Sequence, residues 1–81
     1  MTDIPLDLRG LKCPLPVLKA RKKLATLPVG AVVAVACTDP MAAIDIPHMC
    51  REDGHRLEAS GRDGEVLSFL IRRGPDPAEA R

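Results

Sequence analysis

The chain has almost no aromatic residues. Phe69 stands alone among 81 residues, with no Trp and no Tyr. Recognition of single-stranded nucleic acid by base stacking relies on aromatic platforms, so this composition argues against direct RNA or DNA binding. No apolar run approaches the roughly 20 residues that a membrane span needs, and none of signal-peptide length follows Met1, so a soluble, cytoplasmic protein is expected. There is no Gly-rich phosphate loop and no evident acid/base set, which leaves no means of activating a substrate with ATP. Three cysteines, Cys13, Cys37 and Cys50, are an odd number without regular spacing. They suggest no disulfide framework and fit a reducing compartment. With His48 and His55 they form no close Cys-x2–4-Cys pair, so neither a metal nor another cofactor is expected.

The positive features are compact. A chain this short buries only about 60–65% of its unfolded surface, which allows one small domain with an efficient aliphatic core. Charge is divided unevenly: residues 1–40 carry six basic against three acidic side chains, and residues 41–81 carry six against eight. The basic excess surrounds Cys13-Pro14-Leu15-Pro16, the most informative segment of the chain.

Ile4, Leu6 and Leu8 alternate with non-aliphatic residues and Arg9-Gly10 breaks the run, which predicts a first strand. Val17, Leu18, Ala20, Leu24 and Ala25 then recur at helical spacing among Lys19, Arg21, Lys22 and Lys23. Cys13 is therefore expected at or near a helix N-cap, with Pro14 at the first helical position. The helix dipole should lower the pKa of a thiol placed there, with the amides of Leu15 and Val17 as fixed donors to the sulfur. The position of a resolving cysteine in a Cys-x-x-Cys motif holds Pro16 instead, so the thiol suits carrying a group better than cycling a dithiol.

The second half repeats this pattern. Ala31 to Ala36 reads as a valine-rich strand buried on at least part of both faces, ending at Cys37-Thr38. Asp39 is an N-cap candidate for a helix over about Pro40 to Asp53, which Pro47 should kink or restart. Ala43, Ile46 and Cys50 share one face of that helix, so Cys50 reads as core. His48 and His55 read as surface or capping residues. His55 to Ser60 and Glu65 to Arg72 should form a hairpin around Gly61-Arg62-Asp63-Gly64. Val66, Phe69 and Ile71 do not keep strict period two, so a bulge or two-sided burial is expected. The tail from Gly74 onward has no apolar period and should be disordered.

The predicted fold is a β-α-β-α-β-β, two-layer α/β sandwich: a mixed four-stranded sheet with two helices on one face. It forms one domain over residues 1–73 with a tail over 74–81. Cys13 and Cys37 both follow carboxyl ends of strands, where sites gather in open α/β sheets. Cys37 could serve as a second thiol or form a regulatory disulfide with Cys13, provided that their Cα atoms lie within about 7 Å. Otherwise it closes a buried strand. Lys12 and Arg9 are candidates for holding an anionic sulfur or steering acidic partners, or are ordinary solvated charges.

The string Leu6 to Pro16, the Thr38-Asp39-Pro40 turn, Asp45-Ile46-Pro47, Gly54-His55 and the closing Phe69 to Arg73 resemble the TusA family of sulfur carriers, also called SirA-like proteins. The resemblance covers about residues 4–73. It implies a persulfide on the motif cysteine, here Cys13, flanked by Pro14 and Pro16. It further implies a sulfurtransferase-type relay with a cysteine desulfurase or rhodanese-like protein as donor and a downstream protein as acceptor. The destinations it implies are tRNA thiolation, molybdenum cofactor metabolism and sulfur oxidation. Leu15 stands where some members carry glutamate, which removes local repulsion toward an anionic persulfide. Two other classes remain open on the residues alone: a regulatory or RNA-associated module of similar fold, and a redox sensor using Cys13 with Cys37.

Overall fold

A computed structural model describes residues 3–75. The chain runs β1 (Ile4–Leu8), α1 (Leu15–Ala25), β2 (Val32–Cys37), α2 (Ala42–Asp53), β3 (Arg56–Asp63) and β4 (Val66–Arg72). The four strands form one mixed sheet in the order β1-β2-β4-β3. β1 and β2 are parallel, with Ile4 opposite Val33 and Leu8 opposite Cys37; β4 is antiparallel to both β2 and β3. α1 packs on β1 and β2, α2 on β3 and β4, and the two helices pack on each other. This is the expected two-layer α/β sandwich.

The alternating pattern decides which face is covered. Val33, Val35 and Cys37 of β2 and Leu67, Phe69 and Ile71 of β4 point inward in register, while Ala34 and Ala36 stay half-buried on the opposite face. β2 is therefore covered on one side only, and small side chains occupy its other side. β4 keeps strict period two once Leu67 rather than Val66 is taken as its first inward residue. The irregularity expected in this hairpin lies in β3, where the register shifts between Leu57 and Ala59. The turn is Gly64-Glu65, one residue later than the Asp-Gly pair suggested, with Gly64 at φ +62°.

α2 is unbroken despite Pro47. The carbonyl that loses its donor is that of Ala43, an exposed residue, so water can replace the missing bond. The buried set of α2 is Ala42, Ile46, Met49 and Cys50. Ala43, read from the sequence as inward, is exposed because the stripe runs i, i+4, i+7, i+8 from Ala42. Gly54 ends α2 at φ +76°, and the His55 N–H donates to the Cys50 carbonyl at 2.8 Å.

Ordered packing continues past β4. The Gly74 N–H donates to His55 Nδ1 at 3.0 Å, and a Cβ on Gly74 would lie 1.8 Å from the Gly54 carbonyl oxygen. Gly74 is thus part of the packed domain rather than the start of a tail. The rest of the predicted tail, from residue 76, lies outside the described residues.

Arg73 is the buried charged residue of the core region, at 9% exposure. Its Nε donates at 3.1 Å to the Leu24 carbonyl in the last turn of α1, and Nη1 donates to the Gly74 carbonyl. A cation at a helix C-terminus also meets the negative end of the dipole. Arg73→Met is expected to lower stability by about 1.5–3 kcal/mol, the worth of hydrogen bonds from a charged donor. A denaturant titration against wild type checks this.

Candidate functional site

Parallel pairing of β1 with β2 brings the loops at their carboxyl ends side by side, and two hydrogen bonds join them. The Gly10 N–H donates to Thr38 Oγ1 at 2.8 Å, and the Cys13 N–H donates to Asp39 Oδ2 at 2.5 Å. Asp39 also accepts the Met41 N–H at 3.0 Å, so one carboxylate both caps the turn into α2 and fixes the backbone of Cys13. These two N–H donors, together with the nearby charge of Lys12, hold the Asp39 carboxyl below its ordinary pKa.

Helix α1 begins one residue later than the sequence suggested. Pro14 is the N-cap, Leu15 the first helical residue and Pro16 the second, and the Cys13–Pro14 peptide is cis. The Leu15 N–H donates to the Lys12 carbonyl at 2.9 Å, so it is not a free donor to sulfur. Cys13 Sγ instead lies 3.2 Å from Asp45 Oδ2 on α2. The thiol is exposed and donates its proton to that carboxylate.

This geometry reverses the expected acidity of the thiol. The hydrogen bond to Asp45 favours the protonated form, desolvation adds to it, and the charges of Asp45 and Asp39 oppose a thiolate. The Cys13 pKa is therefore raised rather than lowered. Two carboxylates near the sulfur outweigh the dipole at the start of α1, an effect worth about 0.3–1 kcal/mol at an exposed helix end.

Cys13 sits where two shallow grooves meet. One, of about 330 Å³, runs along the loops past Gly10, Lys12, Thr38 and Asp39. The other, of about 290 Å³, runs between the helices past Val17, Arg21, Asp45, His48, Met49 and Glu52. Arg21 ties the helices across this second groove, with Nε 2.6 Å from Asp53 Oδ2. His48 Nε2 lies 2.8 Å from Glu52 Oε2, one turn along α2. Leu15, Leu18, Met41 and Ile44 leave much of their apolar surface in solvent around these helix starts.

The other residues singled out from the sequence fall in different places. Arg9 is paired with Asp7 through Nε at 2.8 Å and Nη2 at 2.9 Å, so its guanidinium is occupied, and it holds the Asp7 carboxyl down at about 2. Lys12 is exposed beside Cys13. Cys37 and Cys50 are both buried in the core, and burial pushes each thiol up to about 11. All three cysteines are free. Cys37 therefore sits in the core as a strand-closing residue, the second of the two readings the sequence allows, and it is not joined to Cys13.

Asp39 is legible in the sequence as a cap but not as a partner of Cys13, and no local pattern marks Asp45 as a site residue. The available signal was topological: parallel neighbouring strands bring the segment after β2 against the segment after β1.

The fold and site define a small α/β protein with one exposed thiol at a strand-to-helix junction, set beside carboxylates and open to solvent on two sides. Residues 4–73 match the family described as Sulfurtransferase TusA, and the chain belongs to that family. It is 48% identical over 73 residues to a Neisseria meningitidis protein provisionally named a sulfur carrier, covering 89% of this chain and 97% of the relative. The sulfur carrier protein TusA of Allochromatium vinosum is 38% identical over 71 residues, covering 88% of this chain and 93% of that protein. The crystal structure of a SirA-like protein from Desulfitobacterium hafniense superposes with a TM-score of 0.76 at 32% identity, over 89% of this chain and 99% of that one. Among the described residues, no helix is long and apolar enough to cross a membrane.

Proposed function

We propose that this protein is a sulfur carrier that accepts sulfane sulfur as a persulfide on Cys13 and passes it to a partner protein. The observation that carries this reading is the contrast among the three thiols in a chain of this family: Cys13 is exposed at the junction of two grooves, while Cys37 and Cys50 are sealed in the core. Access is a condition of thiol exchange, and only Cys13 meets it.

In uptake, the Cys13 sulfur, once deprotonated, attacks the outer sulfur of a donor persulfide. The bond between the donor's two sulfurs breaks, and the electron pair leaves on the donor sulfur, which takes a proton. In delivery, an acceptor thiolate attacks the outer sulfur now on Cys13, and Cys13 leaves as a thiolate that regains its proton. Both steps are exchanges at constant oxidation level and need no cofactor. The donor is of the cysteine desulfurase or rhodanese-like class. The acceptor belongs to one of the routes that the family resemblance implies: tRNA thiolation, molybdenum cofactor metabolism or sulfur oxidation.

Pro14 and Pro16 frame the thiol by fixing the backbone on its helical side. Lys12 is the cation beside Cys13 that can meet an acidic partner, and Arg9, paired with Asp7, lies further along the same loop.

The test is to incubate the wild type with a cysteine desulfurase and cysteine, digest it without reductant and map the added sulfur by mass spectrometry. One reductant-labile sulfur on the peptide that contains Cys13 is expected. No uptake, or sulfur spread over the peptides of Cys37 and Cys50, would overturn the reading.

A further inference from the structure

The carboxylate of Asp45 has no role in the exchange described above, yet it is the group in direct contact with the reacting sulfur. Its contact has opposite consequences for the two states of the carrier. In the empty state Sγ bears a proton and donates it to Oδ2 at 3.2 Å, a hydrogen bond to an ionised acceptor. In the loaded state Sγ is bonded to the outer sulfur and has no proton to donate. The negative charge of the persulfide then lies beside the negative charge of Asp45, and like charges at this range repel.

We propose that Asp45 is a positioning residue that biases Cys13 toward its empty state, so that sulfur taken from a donor is readily given up. This rests on the carrier reading. The exchange in question is Cys13–SH plus a donor persulfide anion giving the Cys13 persulfide anion plus the donor thiol. Atoms and charge balance without any further reactant. Asp45 stabilises the left side by its hydrogen bond and destabilises the right side by repulsion, so it shifts this equilibrium without entering it.

Asp39 also opposes an anionic sulfur through its charge, but the hydrogen bond from Sγ goes to Asp45. Asp39 spends its oxygens on the backbone N–H groups of Cys13 and Met41. Lys12 lies on the loop side, where its charge acts on Asp39. In the helix groove, Arg21 is held by Asp53 and Glu52, and His48 is paired with Glu52. Asp45 is the carboxylate whose hydrogen-bond partner changes with loading.

The experiment equilibrates the carrier with glutathione persulfide in a glutathione buffer and measures the loaded fraction by intact mass, for wild type, Asp45→Asn and Asp45→Ala. Removing one like charge in contact with the sulfur is expected to raise the loading constant by about tenfold. Asn keeps the size and an acceptor oxygen, so it separates charge from packing; Ala should move in the same direction if both variants melt as the wild type does. A second readout does not depend on sulfur loading: the pH midpoint of Cys13 alkylation by iodoacetamide should fall in both variants. A wild type that loads, with Asp45→Asn variants that partition and alkylate as it does, would overturn this proposal alone. A wild type that takes up no sulfur would overturn the carrier reading and this proposal together.

Discussion

Cys13→Ser is expected to abolish sulfur uptake while leaving the fold and its stability nearly unchanged, and the same exchange at Cys37 or Cys50 to do the opposite. A serine hydroxyl forms no persulfide, so the loss at position 13 is complete rather than graded. The side chain is exposed, and the serine hydroxyl can still donate to Asp45, so little is disturbed in the folded state. At Cys37 and Cys50 the exposure is 0% and 2%, and a hydroxyl there must enter an apolar core. A buried polar group without a partner costs about 1–3 kcal/mol, which should appear as a lower denaturation midpoint with sulfur uptake retained. Intact-mass loading and urea titration of the three variants check both halves. Uptake that survived Cys13→Ser would remove the thiol from the centre of the mechanism. Uptake lost in Cys37→Ser with its stability kept would restore the second thiol that burial argues against.

What could be read from the chain and what could not divide along sequence distance. The strand Ile4–Leu8 is a five-residue alternation, and its limits are the observed ones. The basic face of α1, the apolar run of β2 and the hairpin are equally local patterns. The Cys13 thiol stands out because two prolines flank it at a strand-to-helix junction. Its acidity is not legible locally, for a physical reason. The dipole of α1 is visible in the local sequence, whereas Asp39 and Asp45 reach Cys13 from 26 and 32 residues away. Those contacts exist because β1 and β2 pair in parallel with Leu8 beside Cys37, a register that no local pattern states. Pro47 lies inside a continuous α2 for a related reason. Proline disfavours a helix interior by local energetics, but the buried set Ala42, Ile46, Met49 and Cys50 holds the turns on either side of it against the sheet. Arg9 illustrates the converse case. It looked available beside the motif, and a neighbour two residues back already held it.

That packing makes Ile46 the residue through which stability and site geometry are joined, and Ile46→Ala is expected to damage both. Ile46 is fully buried in the core and lies between Asp45 and Pro47 on α2. Truncating a buried isoleucine to alanine costs about 2–5 kcal/mol when the cavity cannot close. Stabilities near 0.05–0.15 kcal/mol per residue put a chain of this size on the order of 4–12 kcal/mol, so the variant would lose a large share of it. The same truncation removes the anchor beneath Asp45. Pro47 supplies no backbone N–H to stiffen this stretch of α2, so the carboxylate should drift from the thiol. Folded Ile46→Ala should therefore alkylate at Cys13 with a lower pH midpoint than wild type, in the direction expected for Asp45→Asn. Ile46→Val, which fills most of the same space, should cost about 0.5–1.5 kcal/mol and keep the wild-type alkylation profile. If Ile46→Ala were destabilised by the expected amount while its thiol kept the wild-type profile, Asp45 would be held by the helix backbone alone. The link between core packing and the sulfur site would then be cut at this residue.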